Sequence, residues 1–232
     1  MRLHLTLSPN TESVSFDYQH RLTGVFHKWL EQNDLHDKIS LYSLSWLDGG
    51  RKVRDRLEFP RGAKWFVSFF EDKYAERLVH GALRDPEMFA GMTVTRIKQQ
   101  PTPDFGEGRC RFKVASPVLI KGKMPSDGKP PHHYLFHEPE SDELMTKTLV
   151  HKMDAANNEA GKEIFTDADR RVKVAFDREF QTPKIKLVRI KNIDHKTSVC
   201  PVIIEGTNKA LQFAWNVGIG NGTGSCFGSL KE

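Results

Sequence analysis

The apolar residues of this chain change period in a set order, from two to about 3.6 and back, and that order restricts the folds open to it. Residues 2–7 alternate polar and apolar side chains, which predicts a strand. Leu22, Val25, Phe26, Trp29 and Leu30 recur at helical spacing within 16–30, which predicts an amphipathic helix. Strands are expected over 41–47 and 64–70, a second helix over 72–83, and further strands over 92–98 and 109–118. Strand, helix, strand, strand, helix, strand is the ferredoxin-like βαββαβ order. Residues 121–131 then break the pattern with three lysines, three prolines and two glycines. Beyond the break the order returns: a strand at 133–136, a helix over 141–153, strands over 171–176, 184–190 and 198–205, and a helix over 207–217 capped by Thr207 or Asn208. The expected fold is therefore α+β, with two tandem ferredoxin-like (RRM-like) βαββαβ domains at 1–120 and 132–232 and a linker at 121–131. No literal repeat of 20–50 residues accompanies it, so the duplication is one of structure.

Composition narrows the class. A content of 38% hydrophobic and 10% aromatic residues fits folded cores. Cys110, Cys200 and Cys226 are widely spaced and odd in number, which argues against a disulfide framework and a zinc knuckle. His132, His133 and His137 lie near one another but without a spaced cysteine set or a HExxH helix, and Asp167, Asp169 and Asp177 are too irregular for a calcium loop. No metal site and no cofactor are expected. The first residues lack the apolar core of a signal peptide, and no run approaches the roughly 20 apolar residues that span a bilayer. A soluble, cytoplasmic protein without a membrane partner is expected.

The net charge of +5 is modest, but its placement is informative. Arg51, Lys52, Arg54, Arg56, Arg61 and Lys64 follow Asp48-Gly49-Gly50, read as a hairpin turn. Lys184, Lys186, Arg189 and Lys191 decorate one strand of the second domain, with Lys196 beyond it, and Lys121, Lys123 and Lys129 lie in the linker. Such clusters suit phosphate contacts, which supply affinity rather than sequence choice. Trp65, Phe66 and Phe69 lack the base-stacking strand motif of an RRM and are expected in the core.

The glycine-rich segment 218–228 carries Gly218, Gly220, Gly222, Gly224 and Gly228. Absent side chains let backbone amides approach an anion and adopt positive φ. A dinucleotide fingerprint would need a strand before it and a helix after it, and a P-loop would need Gly-Lys-Ser/Thr; neither is present. A plain turn before a last strand and a backbone-contacting loop between domains both remain. Asn216-Val217-Gly218-Ile219-Gly220, then Ser225 and Phe227-Gly228, resembles the C-terminal loop of the CRISPR repeat-processing endoribonucleases of the RAMP superfamily, with Cys226 where the first closing glycine is usual. A cysteine there is tolerable where that φ is negative. Tyr18 with Leu22-Thr23-Gly24-Val25-Phe26, then Leu41-Tyr42-Ser43-Leu44 and Val114-Ala115-Ser116-Pro117-Val118, resemble further family segments in the family's order.

The resemblance implies a metal-independent endoribonuclease that cuts CRISPR repeat RNA in precursor transcripts to give guide crRNAs. The substrate's 2′-hydroxyl would be the nucleophile, leaving a 5′-hydroxyl and a cyclic or 3′ phosphate. By motif order His27 matches the family's helix position, His36 the position in the turn after it and Lys38 the cation, giving two proton-transfer groups and one charge stabiliser. His20, seven residues before His27 on roughly the same helical face, is a reserve candidate. RNA binding is expected at Arg51, Lys52, Arg54, Arg56, Lys184, Lys186, Arg189, Lys191 and the five loop glycines. Other subunits of an interference complex and a second copy of the chain are further partners that the resemblance admits. The rival readings are a non-catalytic RNA-binding subunit of such a complex and a general tandem-RRM protein.

Overall fold

The computed structural model describes residues 1–31, 35, 38–126 and 130–232. The first sheet contains β1 (Arg2–Leu7), β2 (Tyr42–Leu44), β5 (Ala63–Phe69) and β6 (Val94–Gln100), with α1 (Gln19–Leu30) after β1 and α2 (Asp72–Arg84) after β5. Its strand order is β2-β5-β1-β6, with β1 antiparallel to both neighbours. This is a βαββαβ unit with its two crossover strands at the centre. Alternation along β1 buries Leu3, Leu5 and Leu7 against α1, which contributes Leu22, Phe26, Trp29 and Leu30. The other face of the sheet carries His4 and Thr6.

The second sheet repeats the plan with β7 (Gly108–Val114), β8 (Lys173–Phe176), β11 (Val202–Gly206) and β12 (Leu230–Lys231), in the order β12-β7-β11-β8. Its helices are α3 (Glu140–Ala160), the single turn α4 (Asp167–Arg170) and α5 (Asn208–Val217). Thr207 caps α5 by accepting a hydrogen bond from the Ala210 amide at 3.2 Å. Each unit carries a two-stranded hairpin between its second and third core strands: β3 (Arg51–Val53) with β4 (Arg56–Glu58), and β9 (Lys184–Ile190) with β10 (Ile193–Val199).

Several sequence expectations are corrected. The strand expected at 109–118 as the last segment of the first domain, β7, hydrogen-bonds to β11 and β12 instead, so the chain changes sheets between Gln100 and Gly108 and not at 121–131. The expected turn at Asp48-Gly49-Gly50 precedes the basic hairpin, whose own turn uses Arg54 at φ 55°. The expected strand over 198–205 is two strands separated by Cys200-Pro201, where proline offers no amide to a ladder. Residues 133–136 form only an isolated bridge, Lys121 to His133. Helix α3 runs on to Ala160, where Gly161 ends it in the left-handed conformation at φ 63°.

The two units share a packed seam. Arg2 is 1% exposed, with its guanidinium 3.5 Å from the Trp215 ring centroid and 4.0 Å from that of Phe66. It donates to Ser68 Oγ at 2.6 Å and to the carbonyls of Trp215 and Leu230 at 3.1 and 2.8 Å. Burial pulls its pKa down to about 9, which leaves it cationic at neutral pH. Arg2→Met keeps much of the volume but removes the donors to both carbonyls and the stacked charge. It is expected to destabilise the protein by about 3 kcal/mol, read as a lower urea midpoint at unchanged slope. An unchanged midpoint would show that the seam holds without it. Among the described residues no helix is long and apolar enough to cross a membrane.

Candidate nucleic-acid interface

Helix α1 buries Leu22, Val25, Phe26, Trp29 and Leu30, which leaves His27 at its last turn half-buried at the edge of that face. The His27 ring stands edge-on to Phe26, with centroids 5.0 Å apart. His20 lies at the other end of the helix, exposed, with Nδ1 2.7 Å from the Asp17 carbonyl. Seven residues separate the two histidines, about 10 Å along the axis, so His20 is not beside His27. Lys38 reaches Glu159 at the end of α3, Nζ to Oε1 3.9 Å, a carboxylate that no local motif announced. His36 lies outside the described residues, as does Lys129.

The glycine-rich loop is the keystone of the seam. Gly218, Gly220, Gly224 and Gly228 are buried and only Gly222 is exposed, so the loop's accessible surface is Asn221, Gly222 and Ser225. Its glycines answer to packing: a Cβ on Gly220 would lie 2.5 Å from the Leu119 carbonyl oxygen. The Ile219 amide donates to the Gly228 carbonyl and the Gly228 amide to the Pro117 carbonyl, each at 2.9 Å. Cys226 takes φ 65°, so the negative φ that would make a cysteine unstrained at this position is not met. Its side chain is fully buried in the first unit's core, with Sγ 3.7 Å from the Gln19 carbonyl at the start of α1. That packing offsets a left-handed conformation worth about 1–2 kcal/mol, and burial pushes the thiol up to about 12, leaving it unreactive.

A buried lysine anchors the loop from behind. Lys152 of α3 donates to the Val217 carbonyl at 3.0 Å and to Thr223 Oγ1 at 2.9 Å, and Thr223 in turn donates to the Tyr42 carbonyl of β2 at 3.0 Å. Burial lowers the pKa of this lysine to about 7. One side chain thus ties α3, the end of α5, the loop and the first sheet together.

The two basic segments read from the sequence converge. The β9–β10 hairpin packs Val188 against Phe227 and Leu119 of the loop region, and Lys186 places Nζ 4.3 Å from the Trp46 ring centroid. Trp46 donates through Nε1 to the Cys226 carbonyl at 2.8 Å. A cleft of about 420 Å³ lies between Lys186 and Arg189 on one side and Gly49, Gly50 and Phe59 on the other, with Tyr18 and Gln19 at the start of α1 also lining it. Gln19 is 1% exposed, and among the described residues neither polar atom of its side chain has a hydrogen-bond partner. Arg51, Lys52, Arg54 and Arg56 are exposed on the neighbouring β3–β4 hairpin, Arg51 paired with Glu58 at 3.2 Å. Lys184 and Lys191 are exposed as well, while Arg189 holds Asp194 through two hydrogen bonds of 2.6 and 2.8 Å.

A larger cleft, about 790 Å³, opens over the helix-free face of the first sheet and is lined by His4, Lys64, Arg96, Lys98 and Lys231. Of these only Lys64 belongs to the clusters noted in the sequence. The alternation of β6 was the available signal, since Arg96 and Lys98 occupy one face of that strand.

The chain superimposes along its whole length on a solved structure described as an RAMP protein binding different RNA substrates, with TM-score 0.83 at 16% identity and 98% of that chain covered. It also superimposes on a CRISPR associated protein Cas6 (TM-score 0.79, 20% identity, 100% and 98% of the two chains) and on the product of a Cas6-related gene from Pyrococcus furiosus (0.81, 15%, 100% and 97%). These likenesses establish the tandem ferredoxin-like fold. A search of curated protein sequences finds no match. The sequence pattern of the family described as CRISPR associated protein Cas6, C-terminal, matches residues 98–232, more than half of the chain, and the protein therefore belongs to the Cas6 family of CRISPR-associated proteins.

Proposed function

We propose that this protein is a metal-independent endoribonuclease that makes one cut in each CRISPR repeat of a precursor transcript. The observation that carries the reading is the cleft between Lys186 and Arg189 of the β9–β10 hairpin and the segment that leads into the basic β3–β4 hairpin; it opens at the start of α1, the helix that bears His27 at its other end. The 2′-oxygen attacks the adjacent phosphorus, a pentacoordinate phosphorane forms, and the 5′-oxygen leaves. His27 and His36 exchange the two protons, one from the 2′-hydroxyl and one to the leaving oxygen, and Lys38 stabilises the phosphorane charge. Arg51, Lys52, Arg54, Arg56, Lys184, Lys186, Arg189 and Lys191 hold phosphates. The buried glycines shape the loop, and the RNA meets it at Asn221, Gly222 and Ser225.

Repeat RNA incubated with the protein in EDTA is expected to give one cut, with a downstream fragment whose 5′-hydroxyl accepts radiolabelled phosphate directly from a polynucleotide kinase. The Lys38–Glu159 pair favours a second reading, a non-catalytic RNA-binding subunit, because a carboxylate shares the charge assigned to the phosphorane. Tight binding with no cut under any metal condition would select that second reading.

A further inference from the structure

Residues 118–121 run between three elements. Val118 bridges Ser198 of β10, Leu119 bridges Asn221 of the glycine loop, and Lys121 bridges His133. The Lys121 amide also donates to Asn221 Oδ1 at 2.8 Å. These pairings gather groups distant in sequence beside the loop. The His133 and His195 rings lie 5.5 Å apart, and His195 stands edge-on to Phe227 of the loop at 5.6 Å.

The two imidazoles differ. His133 is half-buried, and its Nδ1 accepts the Lys196 amide at 3.2 Å, which puts the proton of its neutral form on Nε2. His195 is 8% exposed, and among the described residues its buried Nδ1 has no hydrogen-bond partner. Lys121, Lys196 and His132 face the pair as cationic or cationisable groups. The nearby carboxylates are committed elsewhere, Asp194 to Arg189 and Glu138 to His132 and the Leu135 amide. Burial, then the positive charge of Lys121, lowers the pKa of both histidines. A cationic ligand would meet repulsion here. Among the described residues no cluster of three or more histidine, cysteine or acidic side chains could hold a metal ion. An anion would meet an Nε2–H donor, two exposed ammonium groups and two imidazoles able to take up a proton in its field.

We propose that His133 and His195, with Lys121 and Lys196, form a phosphodiester-binding site that holds the RNA backbone beside the glycine loop. The site rests on the reading of this protein as RNA-binding and extends it from the β9–β10 hairpin to His133 and the segment around Lys121. Binding takes up a proton: the phosphate raises the depressed histidine pKa values towards and above their ordinary level. Affinity therefore rises as pH falls from 8 to 6, and His133 is responsible for part of that rise.

The test uses the full chain and repeat RNA carrying 2′-O-methyl riboses, which cannot be cut by 2′-hydroxyl attack. Dissociation constants are measured at pH 6 and 8 over a salt series for wild type, His133→Ala, His133→Gln and Lys121→Ala, with thermal unfolding as a check on folding. At pH 6, His133→Ala and Lys121→Ala are each expected to weaken binding by about five- to tenfold and to lower the log–log salt slope by about one. His133→Gln is expected to lose part of the pH dependence but to keep part of the affinity through its amide donor. Wild-type slope and pH dependence in both His133→Ala and Lys121→Ala would overturn the site while leaving RNA binding intact. Absence of RNA binding by wild type would overturn the site and the functional reading together. Should His133→Ala fail to fold, the exposed Lys121 side chain still decides the matter through its own salt slope.

Discussion

His27→Ala is expected to slow cleavage of repeat RNA by about 10²- to 10⁴-fold while leaving RNA affinity within about threefold. The effect follows from the role assigned to the imidazole, which moves a proton in the step that makes or breaks a P–O bond. His27 sits on the last turn of a helix whose neighbouring residues, Phe26 and Trp29, are buried, so its position is set by core packing. Removal of a half-buried ring leaves that packing in place. The measurement is a single-turnover rate beside a binding isotherm, with far-UV circular dichroism as the folding control. Equal loss of rate and affinity would show that His27 holds RNA without serving the chemistry. An unchanged rate would remove it from the catalytic set and leave His36 and Lys38 to be tried next.

Gly228→Ala is expected to cost about 3 kcal/mol or more of stability. At φ 59° an added Cβ is strained for any L-residue, and here it would lie 1.9 Å from the Ile219 carbonyl oxygen. The loop cannot readily move away, because the Ile219 amide is hydrogen-bonded across it to Gly228, the Gly228 amide to Pro117, and Phe227 and Ser229 on either side are buried. The expected result is a large fall in the denaturant midpoint, with weakened RNA binding as a consequence of a displaced loop. Gly24→Ala is the contrast. Gly24 sits exposed inside α1 with no atom within 4 Å of an added Cβ, so alanine there is expected to stabilise by up to about 1 kcal/mol. Equal effects at the two glycines would contradict the packing role given to the loop.

The limits of local reading are clearest in particular elements. Strands β1 and β9 begin and end where the alternation does, and α5 starts at its threonine cap, because period and capping are properties of neighbouring residues. The break at Pro201 was equally local, since proline in a strand run is itself a signal, and it was there to be read. The sheet to which β7 belongs was not. Its alternation of buried and exposed residues suits either sheet, and only its pairing with β11 and β12 decides.

The candidate site divides in the same way. Residue type and order along the chain were enough to single out His27, His36, Lys38, the two basic hairpin segments and the glycine-rich loop, because motifs and charge clusters are contiguous. They could not reveal that four of the five glycines are buried, that Cys226 holds a left-handed φ, or that Lys152 supports the loop from beneath. Nor could they join Lys38 to Glu159 or His133 to His195, pairs separated by 121 and 62 residues along the chain. By itself the sequence determined the four long helices, most strands of the two sheets, the twofold plan and the family resemblance, all of which rest on short-range periodicity and motif. Which strands pair, which glycines are packing elements and which charges meet were decided only by the tertiary structure, because each depends on contacts between residues that no local pattern connects.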